Sequence, residues 1–250
     1  MGKIVGVGGG HMDALETLAI DKSIVELTGK DNPSAILLPT ATYDSPERWE
    51  VFNRVYRDRL GCRTEVLYLL QREPSEAELR ERILSKDIIY VSGGNTLKMM
   101  NRWRKLGVDN VLREAYEKGV LLAGQSAGMI CWFSYGHSDS LSYYHAEDWK
   151  YIRVKGMGLI DAIGCPHYDG GTNGVRRADD YHAMMLKHLE PGIGVDNHCA
   201  VQLVDGTYRV VTARPGAGAY GVQRQGKTVV VERLEQRKDF APAGGLFVRR

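Results

Sequence analysis

Gly124-Gln125-Ser126-Ala127-Gly128 sets a hydroxyl between two glycines, after the apolar run Val120-Leu121-Leu122-Ala123 and before Met129-Ile130-Cys131-Trp132-Phe133. Strand, sharp turn and helix is the context that a Gly-x-Ser-x-Gly nucleophile elbow requires. Side chains at the flanking positions would crowd such a turn, and a serine on it tends toward a strained backbone. The turn lifts the hydroxyl above the sheet and aims the first helical N–H groups at whatever it attacks. The competing reading is a structural turn with an incidental serine.

A serine hydroxyl attacks only when a base takes its proton, usually a histidine oriented by a carboxylate. Seven histidines compete. His167, in Ile163-Gly164-Cys165-Pro166-His167-Tyr168-Asp169, follows a strand end, where α/β sites are built, and the pattern favours it. His11 also follows a strand. His137 and His145 are assigned to a long loop, His182 and His188 to a helix, and His198 to the start of a strand. For the orienting acid, Asp139 lies between serine and histidine in the chain. Glu147, Asp148, Asp169 and Asp196 are rivals, each also suited to a turn or cap. An oxyanion hole needs two converging N–H donors. The amide of Ala127 is one candidate, and the turn Ser92-Gly93-Gly94-Asn95-Thr96 offers the other, although Asn95 or Thr96 also suits the cap of the next helix.

Other motifs fail on spacing. Gly6-Val7-Gly8-Gly9-Gly10-His11 puts histidine where a dinucleotide fingerprint needs its third glycine, and no Walker sequence is present. His145-Ala146-Glu147-Asp148 lacks a helical metal-ligand spacing. The chemistry read from the chain therefore needs no organic cofactor and no metal.

Alternating strand and helix patterns must position these groups. Strands are expected at 3–7, 35–39, 65–69, 87–91, 120–123 and near 158–163, and helices at 15–28, 45–60, 75 onward and 96–116, with a break at Gly107. The strands are continuous apolar runs, which argues a mostly parallel sheet with helices on both faces. After about residue 195 the pattern changes to two hairpins, 200–212 and 221–233, read as a C-terminal antiparallel extension. The aromatic-rich stretch 139–155 is read as a loop at the active edge. The expected organisation is one α/β domain over residues 1–250.

Composition narrows the function classes. The chain has 250 residues, 43% of them hydrophobic, and a net charge of +2. Its basic clusters are short, so nucleic acid is not an expected partner. Cys62, Cys131, Cys165 and Cys199 show no framework spacing and read as free thiols of a reducing cytoplasm. The beginning of the chain lacks the apolar stretch of a signal peptide, and no window reaches the length of a transmembrane helix, so no membrane association and a cytoplasmic location are expected. A homodimer remains open.

Ser92-Gly93-Gly94-Asn95-Thr96, Gly124-Gln125-Ser126-Ala127-Gly128 and Gly158-Leu159-Ile160 leading to Pro166-His167-Tyr168 together resemble the peptidase E family, the S51 serine peptidases, which include aspartyl dipeptidases and more distantly cyanophycinases. The likeness runs from Gly8-Gly9-Gly10 to Ile193-Gly194-Val195-Asp196 and the C-terminal hairpins. It implies a fold like class I glutamine amidotransferases, Ser126 as nucleophile, His167 as base, and Gly94 and Ala127 as oxyanion donors. Asp139 matches the acid that follows the serine in the dipeptidases. The family also places an acid near residue 196, where the match falls on Asp196 or on the uncharged Asn197. The resemblance implies hydrolysis of dipeptides or short peptides with a free N-terminus, with Asp-Xaa substrates as one option. Such substrates need donors for a carboxylate, from Arg176 or Arg177, and an acceptor for the amine, from Asn95, Asp139 or Glu147; Gly93 and Asp196 complete the candidate binding residues. Gln125, Met129 and Tyr143-Tyr144-His145 depart from the dipeptidase pattern, which leaves room for a side branch with another substrate. The alternative class is a non-catalytic ligand-binding or scaffold protein of the same fold.

Overall fold

Residues that alternate along each short strand face two different cores. In the computed structural model, which describes residues 2–145, 147–172 and 174–247, the order begins β1 (Lys3–Val7), α1 (Leu18–Glu26), β2 (Ser34–Leu38), α2 (Pro46–Asn53), β3 (Arg63–Val66), α3 (Glu76–Leu84), β4 (Ile88–Val91), α4 (Thr96–Leu106), α5 (Val108–Glu117), β5 (Leu121–Gln125) and α6 (Ala127–Ile130). It continues β6 (Phe133–Ser138), β7 (Ile152–Lys155), β8 (Ile160–Cys165), β9 (Gly171–Thr172), β10 (Val175–Arg176), α7 (Arg177–Met185), β11 (Gly192–Val195), β12 (Cys199–Val204), β13 (Thr207–Thr212), β14 (Ala219–Gln225), β15 (Thr228–Arg233) and β16 (Ala241–Pro242). Val5, Leu37, Tyr90 and Ala123 pack with Ile20, Ile24, Phe52 and Tyr56 of the α1–α2 side. Ile4, Ile36, Ile89 and Leu122 pack with Met99, Trp103 and Leu112 of the α4–α5 side. Period-two alternation between two covered faces is why these runs read as continuously apolar.

Among the described residues the main sheet has the order β16-β13-β12-β1-β5-β4-β2-β3. Its β1, β5, β4, β2 and β3 run parallel, and β12 joins β1 antiparallel. A second sheet, β15-β14-β11-β8-β6-β7, is parallel at β6, β8 and β11. The hairpins expected from sequence form, but each is built into a sheet: β12–β13 extends the first and β14–β15 edges the second. Tyr181 and Met185 of α7 pack with Ile163, Cys165 and Val222 on the second sheet.

Local signals account for several boundaries. The Ser45 side chain caps α2 by accepting from the Arg48 amide, with Pro46 at the first position. Gly107, at φ +74°, divides α4 from α5, as expected. The 45–60 helix keeps its α form only to Asn53 and widens into a π-helical segment over Arg54–Arg59. His137 belongs to β6 rather than to a loop. No helix of the described residues is long and apolar enough to cross a membrane.

Asp21 is buried in the α1 face, where it accepts from Thr17 Oγ1 at 2.8 Å and Tyr56 Oη at 3.0 Å. Burial raises its carboxyl from 3.8 to about 7, against the lowering effect of those two bonds. A carboxyl raised on folding binds more protons in the native state, so its contribution to stability is full below the unfolded value and lost as pH rises through the folded one. Urea unfolding of Asp21→Asn between pH 4 and 8 should therefore show little change near pH 4 and a growing gain relative to the parent up to about pH 7. The parent's decline from this group is at most about 1.4 kcal/mol per pH unit. Parallel stability curves would contradict this.

Candidate active site

Ser126 sits where β5 turns into α6. Its backbone has φ +55° and ψ −109°, a strained combination for a serine. The two flanking glycines are required by space: a Cβ on Gly124 would collide with the Gly128 carbonyl, and one on Gly128 with the Val91 carbonyl of β4. The Ser126 amide donates to the Val7 carbonyl of β1 at 3.0 Å. Gln125 Nε2 donates to the Gly10 carbonyl at 2.8 Å, tying the elbow to the glycine loop after β1.

His167 follows β8 of the second sheet and also has positive φ, +50°. Its amide donates to the Gly8 carbonyl at 3.1 Å. Its Nε2 lies 2.9 Å from Ser126 Oγ. Its Nδ1 lies 2.6 Å from Asn197 Oδ1. An amide oxygen only accepts, so Nδ1 carries the proton and Nε2 presents a lone pair to the serine hydroxyl. Asp169 Oδ1 in turn accepts from the Asn197 amide and from Asn197 Nδ2, both at 2.8 Å, which fixes the asparagine's orientation. Gly9 packs on this pair: a Cβ there would collide with Asn197 Oδ1 and the His167 ring. The chain Ser126–His167–Asn197–Asp169 therefore crosses the seam between the sheets.

The hydrogen-bond partner of His167 Nδ1 is thus Asn197, not the expected Asp139. Asp139 accepts from Arg177 Nη1 at 3.3 Å and lines the cleft beside Ser126, without a hydrogen bond to His167. Arg177 is buried and also donates Nη2 to the His137 carbonyl at 2.9 Å, so its charge is committed to Asp139 rather than free for a substrate. Asp196 is buried, accepting from the Gly218 amide at 2.9 Å and Tyr220 Oη at 3.3 Å; it holds the β11–β14 edge. Burial lowers the imidazolium pKa of His167 below 6.5, the Arg177 charge adds to this, and the Asn197 bond opposes it. His137 is lowered to about 4, first by burial and then by Arg177. It bonds Asp180 Oδ1 at 2.8 Å and stacks on Tyr151, a neutral structural role.

The remaining candidates divide. Gly93 and Gly94 both line the cleft. Gly94 has φ +123°, and a Cβ on it would strike the Ala41 carbonyl; a Cβ on Gly93 would meet Ser126 Cβ at 3.3 Å, so Gly93 is the glycine that faces the serine. Ala127 is the first residue of α6, and the first N–H groups of a helix have no intrahelical acceptor. Asn95 is buried as the α4 cap, accepting from the Lys98 amide at 3.0 Å, so helix geometry rather than substrate occupies its oxygen. Arg176 and Glu147 are exposed and lie outside the residues that line the cleft.

The cleft has a volume of about 260 Å³ and is lined by Ser92, Gly93, Ser126, Asp139 and His167. Met12, Leu37, Val51, Phe52 and Tyr90 also line it. Arg48, Gln125 and His167 are shared with an adjoining polar chamber of about 450 Å³ that reaches Glu16, Asp169 and Arg214. Arg48 and the apolar lining residues Met12, Leu37, Val51, Phe52 and Tyr90 belong to no motif that the sequence displays. Asn197 was marked only through the segment after Ile193-Gly194-Val195. Among the described residues no group of three or more His, Cys, Asp or Glu could hold a metal ion.

The sequence profile described as peptidase family S51 matches residues 4–211. A protein named uncharacterized peptidase YgaJ, from Bacillus subtilis (strain 168), is 33% identical over 225 residues, covering 89% of this chain and 92% of that relative. A crystal structure of a peptidase from an acI-B1 Actinobacterium superposes with a TM-score of 0.70 at 21% identity, covering 97% of both chains. A candidate peptidase E protein from Listeria monocytogenes EGD-e superposes with a TM-score of 0.61 at 18% identity, covering 94% of this chain and all of that one. These two likenesses concern the fold, a mixed α/β domain with central sheets. By its family match and its relative, the chain belongs to peptidase family S51.

Proposed function

We infer that the protein is a serine peptidase acting on short peptides with a free N-terminus, through Ser126, His167 and Asn197. The observation that carries this is the line of short contacts Ser126 Oγ–His167 Nε2 and His167 Nδ1–Asn197 Oδ1, 2.9 and 2.6 Å, at a strained serine. A non-catalytic scaffold would need no base within reach of the serine and no partner behind that base; the contacts do not favour it.

The chemistry follows from the proton positions. Ser126 Oγ attacks the scissile carbonyl as its proton passes to His167 Nε2. The Oγ–C bond forms and the carbonyl oxygen becomes an oxyanion, faced by the Ala127 amide and the amides of the Gly93-Gly94 turn. The C–N bond then breaks, and His167 returns the proton to the leaving amine. Water attacks the acyl group, gives its proton to His167, and the serine leaves with that proton. Asn197 holds the imidazole in the reactive tautomer, as the asparagine of Cys-His-Asn sites does. It carries no charge, so it stabilises imidazolium less than a carboxylate would; Asp169 supplies a negative charge one step further out. The cleft is smaller than the usual 300–1,000 Å³ of drug-sized ligand sites, which suits a short substrate. Asp139 provides a carboxylate for its ammonium group.

Three measurements test the reading. Ser126→Ala should lose labelling by a fluorophosphonate probe while keeping the far-UV dichroism of the parent; undiminished labelling overturns the assignment. Asn197→Ala should lower kcat by about 100-fold or more with little change in KM, since it frees the imidazole to turn; an unchanged kcat removes Asn197 from the mechanism. Because burial holds His167 neutral to lower pH, the acid limb of kcat/KM should have its midpoint below 6.5. A midpoint above 6.5 contradicts the geometry.

A further inference from the structure

We propose that the polar chamber adjoining His167 is the leaving-group site, and that Arg214 and Arg48 hold there the free C-terminal carboxylate of the residue that departs. This rests on the hydrolase reading above and names the end of the substrate that the second cavity reads.

Two cavities meet at His167, and the chemistry assigns them to the two halves of a peptide. The acyl half becomes bonded to Ser126, so it occupies the cleft that Ser126, Gly93 and Gly94 line. The departing amine takes its proton from His167 Nε2, so it sits against the imidazole. The adjoining chamber, of about 450 Å³, is lined by His167 but by neither Ser126 nor the Gly93-Gly94 turn. It therefore faces the departing half. No aliphatic side chain lines it, so it offers little to a hydrocarbon group and more to a charge. The departing residue of a dipeptide carries such a charge close by. Its carboxylate carbon lies two bonds, about 2.5 Å, from the nitrogen that His167 protonates.

The unengaged charges of the chamber are positive. Arg48 stands in the first turn of α2, on the boundary that the chamber shares with the cleft. Arg214 follows β13 and lines the chamber but not the cleft. The Ala213 amide donates to the His198 carbonyl at 2.8 Å, which fixes the backbone carrying Arg214 close to Asn197. Both arginines are exposed, and neither guanidinium has a hydrogen-bond or ion-pair partner among the described residues. The two acids of the chamber are engaged by the chain itself. Glu16 accepts from the His11 amide at 2.8 Å and lies 3.8 Å from His198 Nδ1. Asp169 accepts from both nitrogens of Asn197. The open groups are thus the two arginine forks, whose geometry matches a carboxylate. Exposed pairs of this kind are individually weak, so two arginines on one carboxylate give a graded preference rather than an absolute requirement.

Paired substrates isolate the carboxylate. Xaa-Ala dipeptides and the matching Xaa-Ala amides, with every standard residue as Xaa, are incubated with the protein, and release of alanine or alaninamide is followed by mass spectrometry. For each Xaa that is cleaved, kcat/KM for the acid should exceed that for its amide by about tenfold. Alaninamide is the less basic leaving amine, so intrinsic reactivity does not produce this order. Arg214→Gln and Arg48→Gln should each narrow the acid-to-amide ratio by about three- to fivefold, and Arg214→Lys should restore part of it. Equal rates on acid and amide, or an unchanged ratio in both glutamine variants, overturn the proposal and leave the hydrolase reading in place. A loss in Arg48→Gln confined to acidic Xaa moves that residue to the acyl half and overturns its role here. Cleavage of neither series also overturns the proposal; the fluorophosphonate label on wild-type Ser126 then shows separately whether the hydrolase reading falls with it.

Discussion

The contact between Ser126 Oγ and His167 Nε2 joins two sheets. The serine ends β5 of the main sheet, the histidine follows β8 of the second, and Asn197 lies on the crossing from β11 to β12. None of the three is held by its own element alone. Gly8, Gly9 and Gly10 after β1 fill the seam, with the Gly8 and Gly9 carbonyls accepting from the His167 and His198 amides. The absence of side chains there lets the His167 ring and Asn197 approach the backbone, so the first glycine cluster, which resembles a nucleotide fingerprint only superficially, acts as a spacer. Two residues at positive φ, Ser126 and His167, show where the packing of both sheets imposes a backbone that neither would adopt alone.

The electrostatics of the seam follow from what is paired with what. A buried arginine needs a carboxylate, and Arg177 takes Asp139. Its charge and the burial of the imidazole both disfavour imidazolium, and the neutral asparagine restores only part of the balance. That combination keeps His167 a base at neutral pH. The negative charge of Asp169, one hydrogen bond beyond Asn197, lies close enough to favour an imidazolium at His167 yet outside the first contact.

Local features of the chain were legible. The elbow announces itself because two glycines, a serine and flanking apolar runs are contiguous, and both hairpins show turn residues between alternating strands. The break at Gly107 and the Ser45-Pro46 start are likewise short-range. What could not be read depends on contacts distant in sequence. Strand periodicity is the same whether β8 pairs in one sheet or two, so the second sheet was invisible. The partner of His167 is thirty positions away in the chain, and the expectation of a carboxylate drew attention to Asp139 and Asp196, each of which has a structural partner instead. Phe52, Leu37 and Tyr90 read as ordinary core residues. They are core residues, and only the packing of α2 over β2 and β4 sets them beneath the cleft that Ser126 also lines.

The tautomer of His167 tests the account most directly. Nitrogen-15 spectra of histidine-labelled protein at pH 7, assigned with a His167→Gln variant, should show Nδ1 protonated and Nε2 bare, with Nε2 shifting when Ser126 is replaced by alanine. A protonated Nε2, or an imidazolium at that pH, would mean that Asn197 does not hold the ring as the geometry requires.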